Sequence, residues 1–166
     1  MVQDLLEAVA IAVVISALLI IFVVQAFYIP SESMEPTLKV GDRILVNKFI
    51  YNFRKPERQE IIVFNYPLDP HRKFVKRVIA TPGDKVKIDE GKVFVNNRRL
   101  QEDYVVEDSY TDFAEVTVPE GNYFVLGDNR NNSKDSRYWG FVPKENIVGH
   151  PFVIFWPLNR IKIIGG

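Results

Sequence analysis

The hydrophobic pattern divides the chain into one long apolar run and a series of short alternating segments. From Ala8 to Ile29 there is no charged residue, and most positions are Val, Ile, Leu, Ala or Phe. A helix of this length would extend roughly 33 Å, which is enough to cross a hydrocarbon core of about 30 Å. The pattern therefore predicts a single transmembrane helix within an N-terminal anchor that covers residues 1–29.

A cleaved secretory leader is the main alternative for this apolar run. Ser31-Glu32-Ser33 has the small-x-small form of a cleavage site. Such leaders, however, have a basic N-terminal region and an apolar core of only about 7–15 residues. Here Asp4 and Glu7 precede the run, and no Lys or Arg does. A retained anchor is favoured, and a buried soluble helix fits less well because every face is apolar.

Beyond Pro30 the pattern becomes β-like. Runs rich in β-branched and aromatic residues alternate with turns that contain Pro and Gly. The predicted strands cover residues 43–50, 60–66, 73–81, 85–89, 92–96, 114–118, 122–126, 147–156 and 160–164. Glu90-Gly91 is the predicted turn of a hairpin. We therefore expect an all-β fold of small antiparallel sheets forming one compact domain over residues 30–166, with no helix after the anchor.

Composition narrows the function classes. The 166 residues carry 21 basic and 21 acidic side chains, and this balance gives no support for nucleic-acid binding. The absence of cysteine excludes a disulfide scaffold, a thiolate nucleophile and a cysteine-ligated metal site.

Two serines stand in a segment that prolines keep extended. Ser31 and Ser33 lie between Pro30 and Pro36, directly after the apolar run. A serine hydroxyl needs a base before it becomes a good nucleophile. A Ser-His-Asp triad that uses His71 or His150 stays open on counting alone, although an ordinary loop role is favoured for both histidines.

Lysine is the other base that serves a serine. Lys76 shares one face of a predicted strand with Phe74 and Val78, which would half-bury its amine. Taken alone, a lysine at a strand edge is commonplace. A third segment changes this view, because residues 128–137 are ten consecutive polar residues, more than one turn needs.

Four motifs, in order, carry a resemblance to a known family. The chain resembles the bacterial type I signal peptidases, which are membrane-anchored Ser-Lys proteases. The motifs are Pro-Ser-Glu-Ser-Met-Glu-Pro-Thr-Leu at 30–38, Gly-Asp-Arg-Ile-Leu-Val at 41–46, Lys-Arg-Val-Ile-Ala-Thr-Pro-Gly-Asp at 76–84, and Gly-Asp-Asn-Arg-Asn-Asn-Ser-Lys-Asp-Ser-Arg at 127–137, running on to Gly140. Each motif alone is weak, but all four in order are specific. The resemblance as a whole covers the anchor and essentially the whole β domain.

The resemblance implies a role for each matched residue in the catalytic machinery. Ser33 matches the nucleophile and Lys76 the general base. Ser31 matches the hydroxyl that forms the oxyanion hole together with the backbone N–H of Ser33. Ser133 matches the hydroxyl that holds the lysine amine in place.

Further matched positions concern support and specificity. Asp135 and Arg137 match an ion pair that orders the polar loop. Four apolar residues match positions that line shallow pockets for small side chains: Ile29, Met34, Leu38 and Val75. Cleavage after Ala-x-Ala-like sequences is the implied preference.

The resemblance also implies a setting. The expected partners are precursor proteins that bear signal peptides and the lipid bilayer, with secretion machinery as a further candidate and no nucleic acid. No cofactor or metal is expected. The implied location is the bacterial cytoplasmic membrane, with the catalytic domain on the extracytoplasmic side. Lys39, Arg43 and Lys48 follow the span and, by the positive-inside rule, weakly favour the opposite orientation.

A lysine base must be neutral, which constrains its surroundings. Near pH 7.4 only about 0.1% of free lysine is neutral, and lowering its pKa by about two units requires roughly 2.7 kcal/mol. Burial against Phe74 can supply this bias, whereas a carboxylate in direct contact would oppose it. We therefore expect Asp135 to pair with Arg137 and to make no contact with the Lys76 amine.

Two alternatives remain open. One is a Ser-Lys protease that processes itself or one dedicated partner, of the repressor or conjugation type. The other is a membrane-tethered β-module that binds peptides by strand addition without catalysis.

Overall fold

The computed structural model describes residues 2–165, except for the side chains of residues 19–22. Met1 and Gly166, the outer ends of the two predicted domains, lie outside the described residues. The chain begins with helix α1 (Val2–Val23), whose described side chains are all exposed as far as Leu18. Across the described residues, no helix combines the length and the hydropathy that crossing a membrane requires.

The sequence predicted a helix to the end of the apolar run, but the helix ends at Val23. Residues after Val23 form strand β1 (Val24–Tyr28), which pairs antiparallel with β2 (Arg43–Asn47). The pairing gives the backbone of this segment hydrogen-bond partners in the sheet, and Pro30 disfavours a helix in the residue before it. The predicted boundary at residue 29 therefore differs from the structure, because β1 is part of the β-sheet.

The prediction of an all-β antiparallel fold is confirmed. The large sheet has the order β1-β2-β11-β3-β4-β9-β10, with β12 beside β11, and the small sheet has the order β7-β6-β5-β8. The remaining strands are β3 (Ile61–Tyr66), β4 (Asp69–Ala80), β5 (Lys85–Asp89), β6 (Lys92–Val95), β7 (Arg98–Arg99), β8 (Phe113–Thr117), β9 (Asn122–Leu126), β10 (Val142–Pro143), β11 (Ile147–Trp156) and β12 (Lys162–Ile163).

Strand β4 connects the packing of the two sheets. Its side chains Ile79 and Ala80 pack in one core cluster with Val86 of β5 and Phe124 of β9. A second cluster lies under β2 and β3 and includes Met34 from the serine segment. The long strand that carries Lys76 is thereby held between two cores.

Local signals explain most element boundaries. In the predicted hairpin, Glu90 and Gly91 both have positive φ, as its tight turn requires. The expectation of no further helix is wrong by one short element, α2 (Ser136–Trp139), which Asp135 caps by accepting from the Arg137 N–H.

Candidate active site

Ser33 is held in place by the burial of its neighbour. It is the second residue of a 3-10 turn, Glu32–Met34, that follows β1. The Met34 side chain is buried in the core, and the Leu38 N–H donates to the Met34 carbonyl at 2.9 Å. The turn is thereby attached to the core, while Ser33 keeps 8% of its surface exposed.

Lys76 meets Ser33 from strand β4. Its Nζ donates to Ser33 Oγ at 2.8 Å and to the Val75 carbonyl at 2.9 Å. The same atom lies 5.3 Å from the centre of the Phe74 ring, and the lysine is 4% exposed. The structure therefore brings together two residues that are 43 positions apart in sequence.

Burial changes the acidity of this lysine. Desolvation lowers the pKa of Lys76 to about 8, and the charges of Asp135 and Asp128 act in the opposite direction. In the described part of the chain, neither carboxylate forms a hydrogen bond or an ion pair with Nζ. A tenth of such a lysine is neutral near pH 7, roughly 300-fold more than for a free side chain.

Ser31 lies beside the same hydroxyl. Its Oγ is 3.3 Å from Ser33 Oγ. Ser31 occupies the N-cap position of the 3-10 turn but makes no capping hydrogen bond, and the Ser33 N–H belongs to the first turn, where N–H groups lack an intrahelical acceptor. The Ser31 hydroxyl is therefore close enough to exchange a hydrogen bond with Ser33 Oγ.

The predicted hydrogen bond between Ser133 and the Lys76 amine does not form in this structure. The serine is buried, yet its Oγ has no hydrogen-bond partner within the described residues, and Lys76 Nζ uses Ser33 and Val75 instead. The expected hydrogen bond between Ser133 and Lys76 is therefore absent from the described residues, because the amine is directed towards Ser33 Oγ and the Val75 carbonyl. A buried hydroxyl without a partner is costly, by about 1–3 kcal/mol.

Asp135 and Arg137 form a buried ion pair that organises the polar loop of residues 127–137. Arg137 Nε donates to Asp135 Oδ1 at 2.8 Å, and its second nitrogen donates to Oδ2 at 2.9 Å. Asp135 Oδ2 also accepts from the Gly127 N–H at 3.1 Å, and Arg137 donates to the Arg130 carbonyl at 2.7 Å. The two ends of the loop are thereby held together.

A cleft of about 530 Å³ opens beside Ser33 and Lys76. Three of the predicted pocket residues line it: Ile29, Met34 and Val75. Leu38 does not, because it is fully buried in the core under β2. The prediction that Leu38 lines the substrate pocket is therefore not met in this structure.

The sequence prediction did not include a second buried ion pair, Arg77–Asp128, which lies next to Lys76 along strand β4. Arg77 donates to both oxygens of Asp128 at 2.8 and 2.7 Å, and its guanidinium lies 3.8 Å from the Tyr104 ring centre. Thr37 donates to the same carboxylate at 2.6 Å. Arg77 directly follows Lys76 and Asp128 directly follows Gly127, each within one of the four motifs. Their places in the motifs are the sequence signal from which the pair could have been predicted.

A second missed feature joins the serine turn to the polar loop. Asn132 donates to the Glu32 carboxylate at 3.0 Å, and Asn129 donates through its side chain to the Glu32 carbonyl at 3.2 Å. The Asn129 N–H donates to the Ser33 carbonyl, also at 3.2 Å. The partners are about a hundred residues apart in sequence, and no local pattern indicates such contacts.

Gly127 allows the close approach of the two segments. A Cβ added there would lie within 3.0 Å of the Ser33 carbonyl and of Ser133 Oγ, a separation that real Cβ atoms essentially never show. Since one of these groups is backbone, Gly127→Ala is expected to displace the serine turn. We expect a loss of about 1–3 kcal/mol in the free energy of unfolding and at least a roughly tenfold lower rate of any reaction at Ser33.

Urea unfolding and a peptide-cleavage assay measure the two effects of Gly127→Ala. Gly165→Ala is the matched control, because nothing lies within 4 Å of that position. Equal behaviour of the two variants would contradict the assigned role of Gly127.

The arrangement resembles known proteases in sequence as well as in geometry. The family described as signal peptidase, peptidase S26, matches residues 2–156. A probable signal peptidase I-2 of Synechocystis is 49% identical over 149 residues, which are 86% of this chain and 68% of that protein. A signal peptidase I of Leptolyngbya laminosa is 42% identical over 96% of this chain and 82% of its own length.

A solved structure agrees with these relatives. The crystal structure of a signal peptidase I from Enterococcus faecalis is 37% identical in sequence and superposes with a TM-score of 0.54. The match covers 58% of this chain and 97% of the other. Since the family match extends over most of the sequence and includes every segment that forms the cleft, the chain belongs to the signal peptidase family, peptidase S26.

Proposed function

We propose that this protein is a serine endopeptidase that removes N-terminal signal peptides from exported precursors, with Ser33 as nucleophile and Lys76 as general base. The observation that carries the proposal is the 2.8 Å contact between Ser33 Oγ and the buried Lys76 amine, whose pKa is lowered to about 8. A neutral amine at this distance can accept the hydroxyl proton directly.

The reaction would proceed through an acyl-enzyme. As Lys76 takes the proton, Ser33 Oγ attacks the scissile carbonyl carbon, and the oxyanion receives hydrogen bonds from the Ser31 hydroxyl and the Ser33 N–H. The resulting Lys76 ammonium then protonates the departing amine, which is the new N-terminus of the mature protein. A water molecule, deprotonated by Lys76, hydrolyses the ester and releases the signal peptide with a free carboxylate.

The cleft supports binding of an extended substrate with small side chains. Strand β9 pairs with β4 only from Arg77 to Ala80, so this edge of β4 is not covered by β9 next to Ser33. A substrate strand can add there and direct alternate side chains between Ile29, Met34 and Val75. This geometry is compatible with small-x-small sequences before the cut.

The proposed base predicts a specific pH profile. Because only neutral Lys76 can accept the proton, kcat/KM is expected to rise about tenfold per pH unit below pH 7 and to level off above its pKa of about 8. Initial rates on a fluorogenic peptide between pH 5.5 and 10 measure this. A rate that still rises about tenfold per unit between pH 9 and 10, as expected for a base with the ordinary lysine pKa of 10.5, would contradict the assignment.

Stability should change with pH in the same range. The folded protein releases the Lys76 proton near pH 8 and the unfolded chain near 10.5, so the unfolded state binds more protons between these values. The free energy of unfolding therefore gains a contribution that rises with pH in this window. Lys76→Met should lack that rise in denaturant titrations at a series of pH values.

We also propose that the uncharged apolar segment before β1 anchors the protein at the bacterial cytoplasmic membrane, with the β domain on the extracytoplasmic side, where exported precursors present their cleavage sites. The exposed, apolar side chains from Val9 to Leu18 support this, because they have no core to pack against. The Lys48 N–H donates to the Val23 carbonyl at 2.9 Å, so the sheet begins where the helix ends. Lipid and precursor would be direct partners, with secretion machinery as a further one.

Fractionation tests the anchor. The protein should remain in the membrane pellet in alkaline carbonate, and protease added to spheroplasts should digest the β domain. Release by carbonate would exclude the anchor, and protection from protease would place the domain on the cytoplasmic side.

A precursor-processing assay tests the function. The full chain in neutral detergent should cut a secreted precursor after an Ala-x-Ala sequence, as located by mass spectrometry, and Ser33→Ala should not. If the parent protein cuts no member of a precursor panel, the catalytic proposal is wrong. If it cuts a single one, the protease is a dedicated one.

A further inference from the structure

All charged side chains that line the cleft beside Ser33 are basic. Its charged lining residues are Arg72, Lys73, Lys76 and Lys134, and no Asp or Glu is among the lining residues in the described part of the chain. The whole chain carries 21 basic and 21 acidic side chains. The excess of positive charge in the cleft is therefore a result of folding and not of composition.

Arg72 is the best-positioned of these cations besides Lys76. Side-chain alternation puts it on the same face of β4 as Phe74 and Lys76. Its guanidinium carbon lies 5.3 Å from the centre of the Phe74 ring and 5.9 Å from that of Tyr66, and the two rings stack 4.6 Å apart. Stacking of this kind gives a long side chain a preferred position.

Most other arginines of the β domain are already neutralised. Six form ion pairs with carboxylates: Arg54, Arg58, Arg77, Arg130, Arg137 and Arg160. For Arg72, no carboxylate lies within ion-pair distance among residues 2–165. Its charge is therefore available to a ligand in the cleft.

The Phe74 ring sets an upper limit on the distance between the Arg72 guanidinium and the Lys76 amine. Lys76 Nζ and the Arg72 guanidinium carbon are each 5.3 Å from the same ring centre, so they are at most about 11 Å apart. An extended peptide advances about 3.4 Å per residue. Ser33 Oγ lies a further 2.8 Å from Nζ, so the guanidinium is at most about 13 Å from this hydroxyl. It is therefore within about four residues of a scissile bond held at Ser33.

We propose that Arg72 makes the cleft select substrates with an Asp or Glu within about four residues of the scissile bond. The proposal rests on the proposed peptidase function and concerns its substrate class. Lys73 and Lys134 strengthen the positive field, and a lysine at the same substrate position is disfavoured by like-charge repulsion.

Anionic lipid headgroups would also be attracted to positive charge. The substrate is favoured because Arg72 and the lysine base contact the same aromatic ring, inside the cleft that holds the nucleophile. Lipid binding is then an alternative outcome of the test.

The experiment compares isosteric peptide sets. Starting from a neutral Ala-x-Ala peptide, Asp, Asn or Lys is placed singly at each neighbouring position on both sides of the cut, leaving the two small residues unchanged. The full chain in neutral detergent is assayed for kcat/KM at low salt. At one position we expect Asp to exceed Asn about fivefold, Lys to fall below Asn, and the Asp/Asn ratio to decrease to about twofold in 0.5 M NaCl.

Matched variants assign the effect. The Asp/Asn ratio should fall towards one in Arg72→Gln and be restored in Arg72→Lys, and the ratio is taken within each variant so that a change common to all peptides cancels. Arg98→Gln, the same change on exposed strand β7, should leave the ratio unchanged. A ratio of one at every position in the parent protein would overturn the proposal, and so would a ratio unaffected by Arg72→Gln.

Two further results are distinguishable from these. If anionic lipid added to the detergent alters rates equally for all peptides and the Asp/Asn ratio stays at one, the cleft charge serves lipid and the proposal is overturned. If no peptide is cut, neutral or acidic, the proposed peptidase function fails, and the substrate preference fails with it.

Discussion

Replacing Lys76 by methionine is expected to lower kcat/KM for a precursor by at least about a thousandfold. Methionine has a similar length and packs well in apolar surroundings, so the Phe74 side of the strand stays filled. The variant lacks the amine that lies 2.8 Å from Ser33 Oγ. Among the described residues, no histidine contacts this hydroxyl, so no histidine can replace the amine as a base. Single-turnover cleavage measures the loss.

A double variant tests whether Ser33 and Lys76 depend on each other. Since the proposed mechanism uses Ser33 and Lys76 in one step, Ser33→Ala and the double variant should be about as inactive as Lys76→Met, so that the losses do not add. Lys85→Met, an exposed lysine of the small sheet, is the control and should retain parent activity. Additive losses, or substantial activity in Lys76→Met, would mean that another group activates the serine.

Replacing Asp128 by asparagine is expected to reduce the free energy of unfolding by about 3–5 kcal/mol. Arg77 and Asp128 are almost fully buried, and their two hydrogen bonds satisfy a charge that water cannot reach. Asparagine would leave the guanidinium without a counter-charge, although the Gln59 carbonyl still accepts from it at 2.7 Å. Activity should fall as well, because the pair joins the residue after Lys76 to the residue after Gly127.

An exposed pair gives the matched comparison. Lys85 and Glu115 lie 3.9 Å apart and are largely solvent-exposed, so Glu115→Gln should change stability by less than about 0.5 kcal/mol. The double replacement Arg77→Met with Asp128→Leu removes both charges and should be less destabilising than Asp128→Asn. If Asp128→Asn is no worse than Glu115→Gln in urea unfolding, the buried pair does not stabilise the fold.

Strand prediction succeeded where the pattern was local. The observed β9 and β11 have the predicted bounds, and β5 and β6 differ by no more than one residue, because alternation and turn residues act within a few positions. The end of α1 could not be found in this way. From Val24 the uncharged run continues with no glycine or proline before Pro30 to signal the end of a helix, and only pairing with β2 makes these residues a strand.

The site shows the same division. The motif order was sufficient to single out Ser33, Lys76 and the pair Asp135–Arg137, and the structure brings the first two into contact and pairs the others. It could not indicate that Ser133 is left without a partner or that Leu38 is buried in the core and away from the cleft. Both outcomes depend on where a side chain points after packing.

By itself, the sequence determined the family, the antiparallel β architecture and the candidate site residues, since these depend on local alternation, turn residues and short motifs. Only the tertiary structure decided the apposition of segments about a hundred residues apart, the lowered pKa of Lys76 and the positive charge of the cleft. The physical reason is that desolvation and electrostatic fields depend on every group within several ångströms, and the chain brings those groups together only when it folds.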